Sequence, residues 1–192
     1  MAWWCAIAAL LVLGALLAHG RPPAVIDWQP ALAWTQPWRW WSAAWVHYST
    51  LHLGANVAGA ALVAALGWAA RVPRRVAVAW LIAWPSSHVA LALEPAVRHY
   101  GGLSGVLHAG VAVVAVHLVR NGRRQRRWIG GAMLAGLAFK IILEKPWAGA
   151  VQHPPGWDIA TVPLAHLTGV IAGLLAALAA REPGIAPSRA SR

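Results

Sequence analysis

Apolar runs of bilayer length, separated by short polar breaks, fill almost the whole chain. A membrane-spanning helix needs roughly 20 predominantly apolar residues. Six stretches qualify, at about 2–19, 43–69, 75–93, 103–119, 128–145 and 159–180. The second is long enough to begin outside the hydrocarbon core. The breaks between them are short, except for residues 20–42. The pattern predicts an all-α, polytopic membrane protein: a six-transmembrane-helix bundle forming one domain over residues 1–181. Residues 182–192 hold Pro183, Pro187 and scattered Arg, and are expected to be a disordered cytoplasmic tail.

Composition agrees with a membrane class. Of 192 residues, 59% are hydrophobic and 11% charged, against roughly a quarter charged in soluble domains. The formal net charge is +11. A basic balance can mark a nucleic-acid binder, but here the basic residues sit in short breaks between apolar runs. That distribution excludes nucleic acid and reads as topology and contact with anionic lipid. Arg71, Arg74, Arg75, Arg120, Arg123, Arg124, Arg126, Arg127, Arg181, Arg189 and Arg192 fall on one side. Arg21, Arg39, Arg98 and Lys145 fall on the other. The positive-inside rule places both termini in the cytoplasm. Residues 1–18 lack the basic start of a signal peptide and read as a first span. Cys5 is the only cysteine, which excludes an internal disulfide and a cysteine metal site. Residues 20–42 carry Trp28, Trp34, Trp38, Trp40 and Trp41. They read as lying in the outer leaflet, either as an aromatic belt or as a surface that touches substrate.

The polar residues inside these apolar runs are the candidates for function, because burying them in lipid is costly. Ser104 lies in Gly101-Gly102-Leu103-Ser104-Gly105, where the fourth run begins. Glycine permits a tight turn there, and unpaired N–H groups at a helix start can hold an anion. Ser104 is therefore a candidate nucleophile, with a helix cap as the plainer alternative. His166 lies about seven residues into the sixth run, roughly 10 Å below the outer surface. It is a candidate base, or else a lone histidine bonded to a carbonyl. Gly169 and Gly173 share its face and would let the sixth helix approach the fourth. His52 and Asn56 share a face of the second helix and could point two donors at a developing oxyanion, or could be polar packing. With His47 nearby but no carboxylate or cysteine, this is poor zinc chemistry. No cofactor and no metal are expected.

His47-x4-His52-x3-Asn56, Gly102-x-Ser104-Gly105 and Ala165-His166-x2-Gly169-x3-Gly173 occur in that order on the second, fourth and sixth runs. This constellation resembles the rhomboid family of intramembrane serine proteases, over about residues 40–180. The resemblance implies that Ser104 is the nucleophile and His166 the general base of a two-residue catalytic unit. It implies an oxyanion hole made by His52, Asn56 and the Ser104 backbone. Gly102 and Gly105 would shape the turn, Gly169 and Gly173 would bring the helices together, and His47 would support the site. His108 stands where many relatives have an aromatic residue stacked on the catalytic imidazole. It is also a rival base, disfavoured because an i+4 side chain has little freedom to shuttle protons.

No carboxylate is expected as a third member: Glu94, Glu144 and Asp158 lie near span ends, and Asp27 lies in the tryptophan-rich segment. Lys140 and Glu144, at i and i+4, are expected to pair structurally, with a role toward substrate as the alternative. His88, His99 and Glu94 are expected near the rim of a polar cavity.

The run Tyr100–His108 with Lys140 and Glu144 resembles the rhombosortase branch, as does a six-span core without a cytosolic domain or seventh span. That resemblance implies a bacterial inner-membrane enzyme with its site open to the periplasm. Its partners would be the lipid bilayer and membrane-anchored proteins bearing a C-terminal glycine-rich, hydrophobic and basic sorting tail. The alternatives are a general rhomboid protease acting on single-span substrates and a non-catalytic rhomboid-like membrane-protein binder.

Overall fold

A computed structural model describes residues 1–180. Among them are seven α-helices and no β-strand, only two isolated bridges. The helices are α1 (Ala2–Ala18), α2 (Arg39–Ser42), α3 (Thr50–Ala69), α4 (Arg74–Ser86), α5 (Ser104–Asn121), α6 (Arg124–Glu144) and α7 (Pro163–Ala179). Each apolar stretch contains one long helix, and α2 is a single turn just before the second. By length and composition three helical segments can cross a membrane: α3, α5, and Arg74–Leu93, in which α4 runs on into a 3-10 turn. α1 and α7 are apolar but only 17 residues long, near the short end of what spans. α6 carries Arg124, Arg126 and Arg127 at its start and Lys140 and Glu144 at its end. The expected tail, 182–192, lies outside the described residues, as does Arg181.

Local chemistry sets the helix ends. Ser49 caps α3, its Oγ accepting the His52 N–H at 3.0 Å. The same hydroxyl donates to Asp158 Oδ1 at 2.8 Å and so ties the segment before α7 to the start of α3. Lys145 takes a left-handed conformation (φ 47°) and stops α6. Pro163 occupies the first turn of α7, where its missing N–H loses nothing and its fixed φ suits a helix.

α5 runs through the middle of the bundle, against α7, α6, α4 and α3. Tryptophans brace the packing around it, and they are not confined to an interfacial belt. Trp4, Trp28, Trp80 and Trp84 are fully buried. Trp4 donates its indole N–H to the Val63 carbonyl at 2.9 Å, Trp80 to Val106 at 2.8 Å and Trp84 to Trp41 at 3.1 Å. Burying these three indoles is tolerated because the one polar atom of each finds a partner, whereas Trp28 Nε1 has none. The outward surface is apolar, with Leu13, Leu17, Leu62, Trp128, Phe139, Leu143 and Leu175 all exposed, as lipid contact requires.

Residues 20–42 are more ordered than a belt of aromatic residues demands. Trp34 and Trp38 are exposed, but Trp28 is buried and its backbone pairs with Tyr100 through two hydrogen bonds of 2.7 and 2.9 Å. Beneath it lies a buried ion pair, Asp27 with Arg39, their side chains 1% and 4% exposed. Arg39 also donates to the Asp27 carbonyl at 2.5 Å, to the Ala24 carbonyl at 3.0 Å and to Gln36 Oε1 at 2.7 Å. Gln29, Tyr48 and His99 complete the shell of the Asp27 carboxylate at 2.8, 3.1 and 2.8 Å.

Removing one partner of such a pair strands a buried charge. Asp27→Ala should lower stability by about 3–5 kcal/mol, read as a large drop in melting temperature in detergent. Asp27→Leu combined with Arg39→Met should melt higher than Asp27→Ala alone.

Candidate active site

The turn before α5 is shaped by glycine for two reasons. Gly102 has φ +129°, a conformation side chains rarely adopt, and a Cβ there would lie 2.7 Å from His52 Nε2. Its N–H donates to the Ala43 carbonyl at 3.0 Å, which fixes the turn against the chain entering α3. Leu103 is the N-cap of α5 and no side chain caps the helix. Ser104 is therefore the first helical residue, and the helix-cap alternative does not describe it. Its hydroxyl meets His166 instead, with Oγ 2.9 Å from Nε2.

His166 lies closer to the start of its helix than its place in the apolar run suggests. The sixth run begins near residue 159, but Gln152 and Thr161 pair as a bridge and Pro163 starts the helix later. His166 thus sits in the first turn of α7, level with the first turn of α5. Two glycines allow the meeting. A Cβ on Gly169 would collide with the Gly105 carbonyl, and one on Gly173 with the Ala109 carbonyl. In return, a Cβ on Gly105 would lie 2.9 Å from the Ala165 carbonyl oxygen. The backbones of α5 and α7 are in contact at this level.

His108 lies flat on His166, with centroids 4.4 Å apart and planes inclined by 13°. Its Nδ1–H donates to the Ser104 carbonyl at 2.7 Å. That bond commits one ring nitrogen and locks the ring as a platform. His52 and Asn56 stand across the turn on α3. Asn56 donates one amide N–H to the His52 carbonyl at 3.0 Å, so a second N–H remains. The His47 ring leans on His52 at 4.7 Å between centroids. His47 donates Nδ1–H to the Trp45 carbonyl at 3.2 Å, and burial pushes its imidazole down to about 4. A neutral His47 adds no charge beside His52.

Ser104, His166, His108, His52 and Asn56 border one cavity of about 860 Å³, which also meets Tyr100, Gln152, Trp157 and the apolar Leu107, Val111 and Leu143. Burial pushes the Tyr100 hydroxyl up to about 12, so it remains a neutral donor in the wall. His99 is at this cavity, whereas the expected rim residues His88 and Glu94 are not; His88 is buried between Trp28 and Tyr100. Among the described residues, no three His, Cys, Asp or Glu side chains converge to hold a metal ion.

Sequence reasoning missed one member of this site. Glu144 does pair with Lys140, Oε1 to Nζ 2.6 Å, but its other oxygen reaches His166. Glu144 Oε2 accepts the Nδ1–H of His166 at 2.7 Å. The expectation that no carboxylate is well placed to be a third member is therefore corrected as to placement. Glu144 ends α6 and His166 opens α7, so the two meet at one height although 22 residues separate them.

Compared with known families, residues 35–183 match the family model described as the Rhomboid domain. No curated protein matches the chain.

The glycine contact carries a direct expectation. Gly169→Ala forces a methyl into the Gly105 carbonyl and should destabilise by about 1–3 kcal/mol, as overpacking does. Gly131→Ala on α6, where nothing lies within 4 Å, should melt at or slightly above the parent temperature.

Proposed function

From a chain that belongs to the rhomboid family, whose members are serine intramembrane proteases, we propose an endopeptidase that cleaves membrane-anchored proteins with Ser104 as nucleophile and His166 as general base. The observation that carries this reading is the 2.9 Å contact between Ser104 Oγ and His166 Nε2. It lies in a cavity large enough for a peptide segment. A non-catalytic relative has no use for a serine and a histidine held in proton-transfer reach across two helices.

The chemistry follows acyl transfer. Ser104 Oγ attacks the scissile carbonyl while its proton passes to His166 Nε2. The oxyanion forms beside the first turn of α5, where the Ser104 N–H is unused by the helix. The free N–H of Asn56 and the His52 imidazole complete the donor set. The C–N bond then breaks, His166 hands its proton to the leaving amine, and an acyl-enzyme remains. Water or an amine acceptor resolves it. A helical substrate must unwind first, because its carbonyls are already bonded. Glycine near the cut lowers helix propensity and assists this.

In this reading six helices span a bacterial inner membrane with both termini cytoplasmic, and the cavity opens to the periplasm. Support comes from the eleven basic residues that fall on one side of that arrangement. The substrate in this reading is a protein with a C-terminal glycine-rich, hydrophobic and basic sorting tail. The run Tyr100–His108 and the Lys140/Glu144 pair support that choice over a general single-span substrate.

Fluorophosphonate labelling of the full-length protein should modify Ser104, and Ser104→Ala and His166→Ala should both abolish it. His52→Ala and Asn56→Ala should fold and should cut turnover by about 10²–10³ each, the usual cost of one oxyanion donor; normal turnover in both removes them from the mechanism. For the sorting-tail substrate, mass spectrometry should find a new C-terminus near the glycine-rich motif that disappears in Ser104→Ala.

A further inference from the structure

We infer that Glu144 is a positioning residue for the proton transfer, holding the His166 imidazole in the one tautomer that can take the Ser104 proton, with Lys140 holding the carboxylate in turn. This rests on the protease reading above. Four side chains form an unbroken chain: Ser104 Oγ to His166 Nε2 at 2.9 Å, His166 Nδ1 to Glu144 Oε2 at 2.7 Å, and Glu144 Oε1 to Lys140 Nζ at 2.6 Å. An ionised carboxylate only accepts, so the proton of a neutral His166 is on Nδ1. Nε2 is left with its lone pair, facing the serine hydroxyl.

A surface pair would not need this geometry. An exposed i, i+4 Lys–Glu pair contributes little to a helix. Here the Glu144 side chain is 22% exposed and the His166 side chain 13%, and the carboxylate divides its two oxygens between two donors. Charge also balances. At rest, Lys140 cancels Glu144 while Ser104 and His166 are neutral. After proton transfer the oxyanion is matched by the imidazolium, so the sum stays zero in a site where net charge is costly. The carboxylate faces the imidazolium as it forms and remains ionised, the role such a group takes beside a base histidine.

Substituting glutamine separates this role from mere packing. Lys140 has only donors, so it claims the amide oxygen of Glu144→Gln and turns the NH₂ toward His166. The ring must then accept at Nδ1 and carry its proton on Nε2, where it meets Ser104 as a donor. The probe is a fluorophosphonate on the full-length protein in detergent. Ser104 Oγ forms the O–P bond, fluoride leaves with the P–F electron pair, and the Oγ proton goes to Nε2.

We expect Glu144→Gln to lower kinact by about 30-fold or more while KI stays within about twofold. Glu144→Asp should recover most of the loss. Lys140→Met added to Glu144→Gln should also raise kinact, because the amide is then free to turn its oxygen to His166. Wild-type kinact in both Glu144→Gln and Glu144→Ala overturns the inference. A readout free of any effect of Glu144 variants on folding comes from ¹⁵N spectra of histidine-labelled wild-type protein, with His166 assigned by its loss in His166→Ala. A proton on Nδ1 supports the inference and one on Nε2 overturns it. If wild-type Ser104 resists the probe altogether, the protease reading falls instead, and the spectra still decide the tautomer.

Discussion

The contact between the backbones of α5 and α7 is the constraint on which the site depends. Gly169 against the Gly105 carbonyl and Gly173 against the Ala109 carbonyl leave no room for a Cβ. Helices that approach this closely bring short side chains within reach of one another. A serine has a single rotatable link before its oxygen, so it cannot cross a normal interhelical gap. The Ser104–His166 distance of 2.9 Å is thus a property of the glycines before it is a property of the reacting pair. In lipid, where apolar side chains gain little by leaving the solvent, small residues supply that closeness through packing.

Around this contact several polar groups are fixed by hydrogen bonds, while His52 Nδ1 and His47 Nε2 are buried without a partner. His108 commits Nδ1 to the Ser104 carbonyl, His166 uses both ring nitrogens, and Asn56 anchors one amide hydrogen on its own helix. The segment 20–42 adds a second polar centre, in which Asp27 and Arg39 are buried among backbone carbonyls. Tyr48 and His99 belong to both regions: each bonds the Asp27 carboxylate and each borders the cavity. The folding of this segment is therefore coupled mechanically to the mouth of the site.

Much of this was legible in the residue order. The six long helices follow from runs of apolar residues, since backbone hydrogen bonding in lipid leaves helix as the economical choice. The Gly-x-Ser-Gly turn and the glycines following His166 indicate which helices must touch. The Glu144–His166 contact escaped because the level of a side chain depends on where its helix starts and not on where apolar sequence starts. Pro163 and the Gln152–Thr161 bridge delay α7, and only then do His166 and Glu144 come level. A Lys–Glu pair at i, i+4 satisfies a local rule completely, so nothing local signals that one carboxylate oxygen serves another helix. The Asp27–Arg39 pair is hidden for a different reason. Eleven residues of largely irregular backbone lie between its members, with no periodicity to bring them together.

The buried tryptophans have an optical consequence. Trp4 of α1 and Trp80 of α4 lie with ring centroids 4.2 Å apart and planes inclined by 31°. The intense far-ultraviolet transition dipoles of rings so close and skewed couple, giving a dichroism couplet that vanishes once the rings separate. The N-terminal half of the bundle therefore contains its own chromophoric gauge of helix docking, readable without any label.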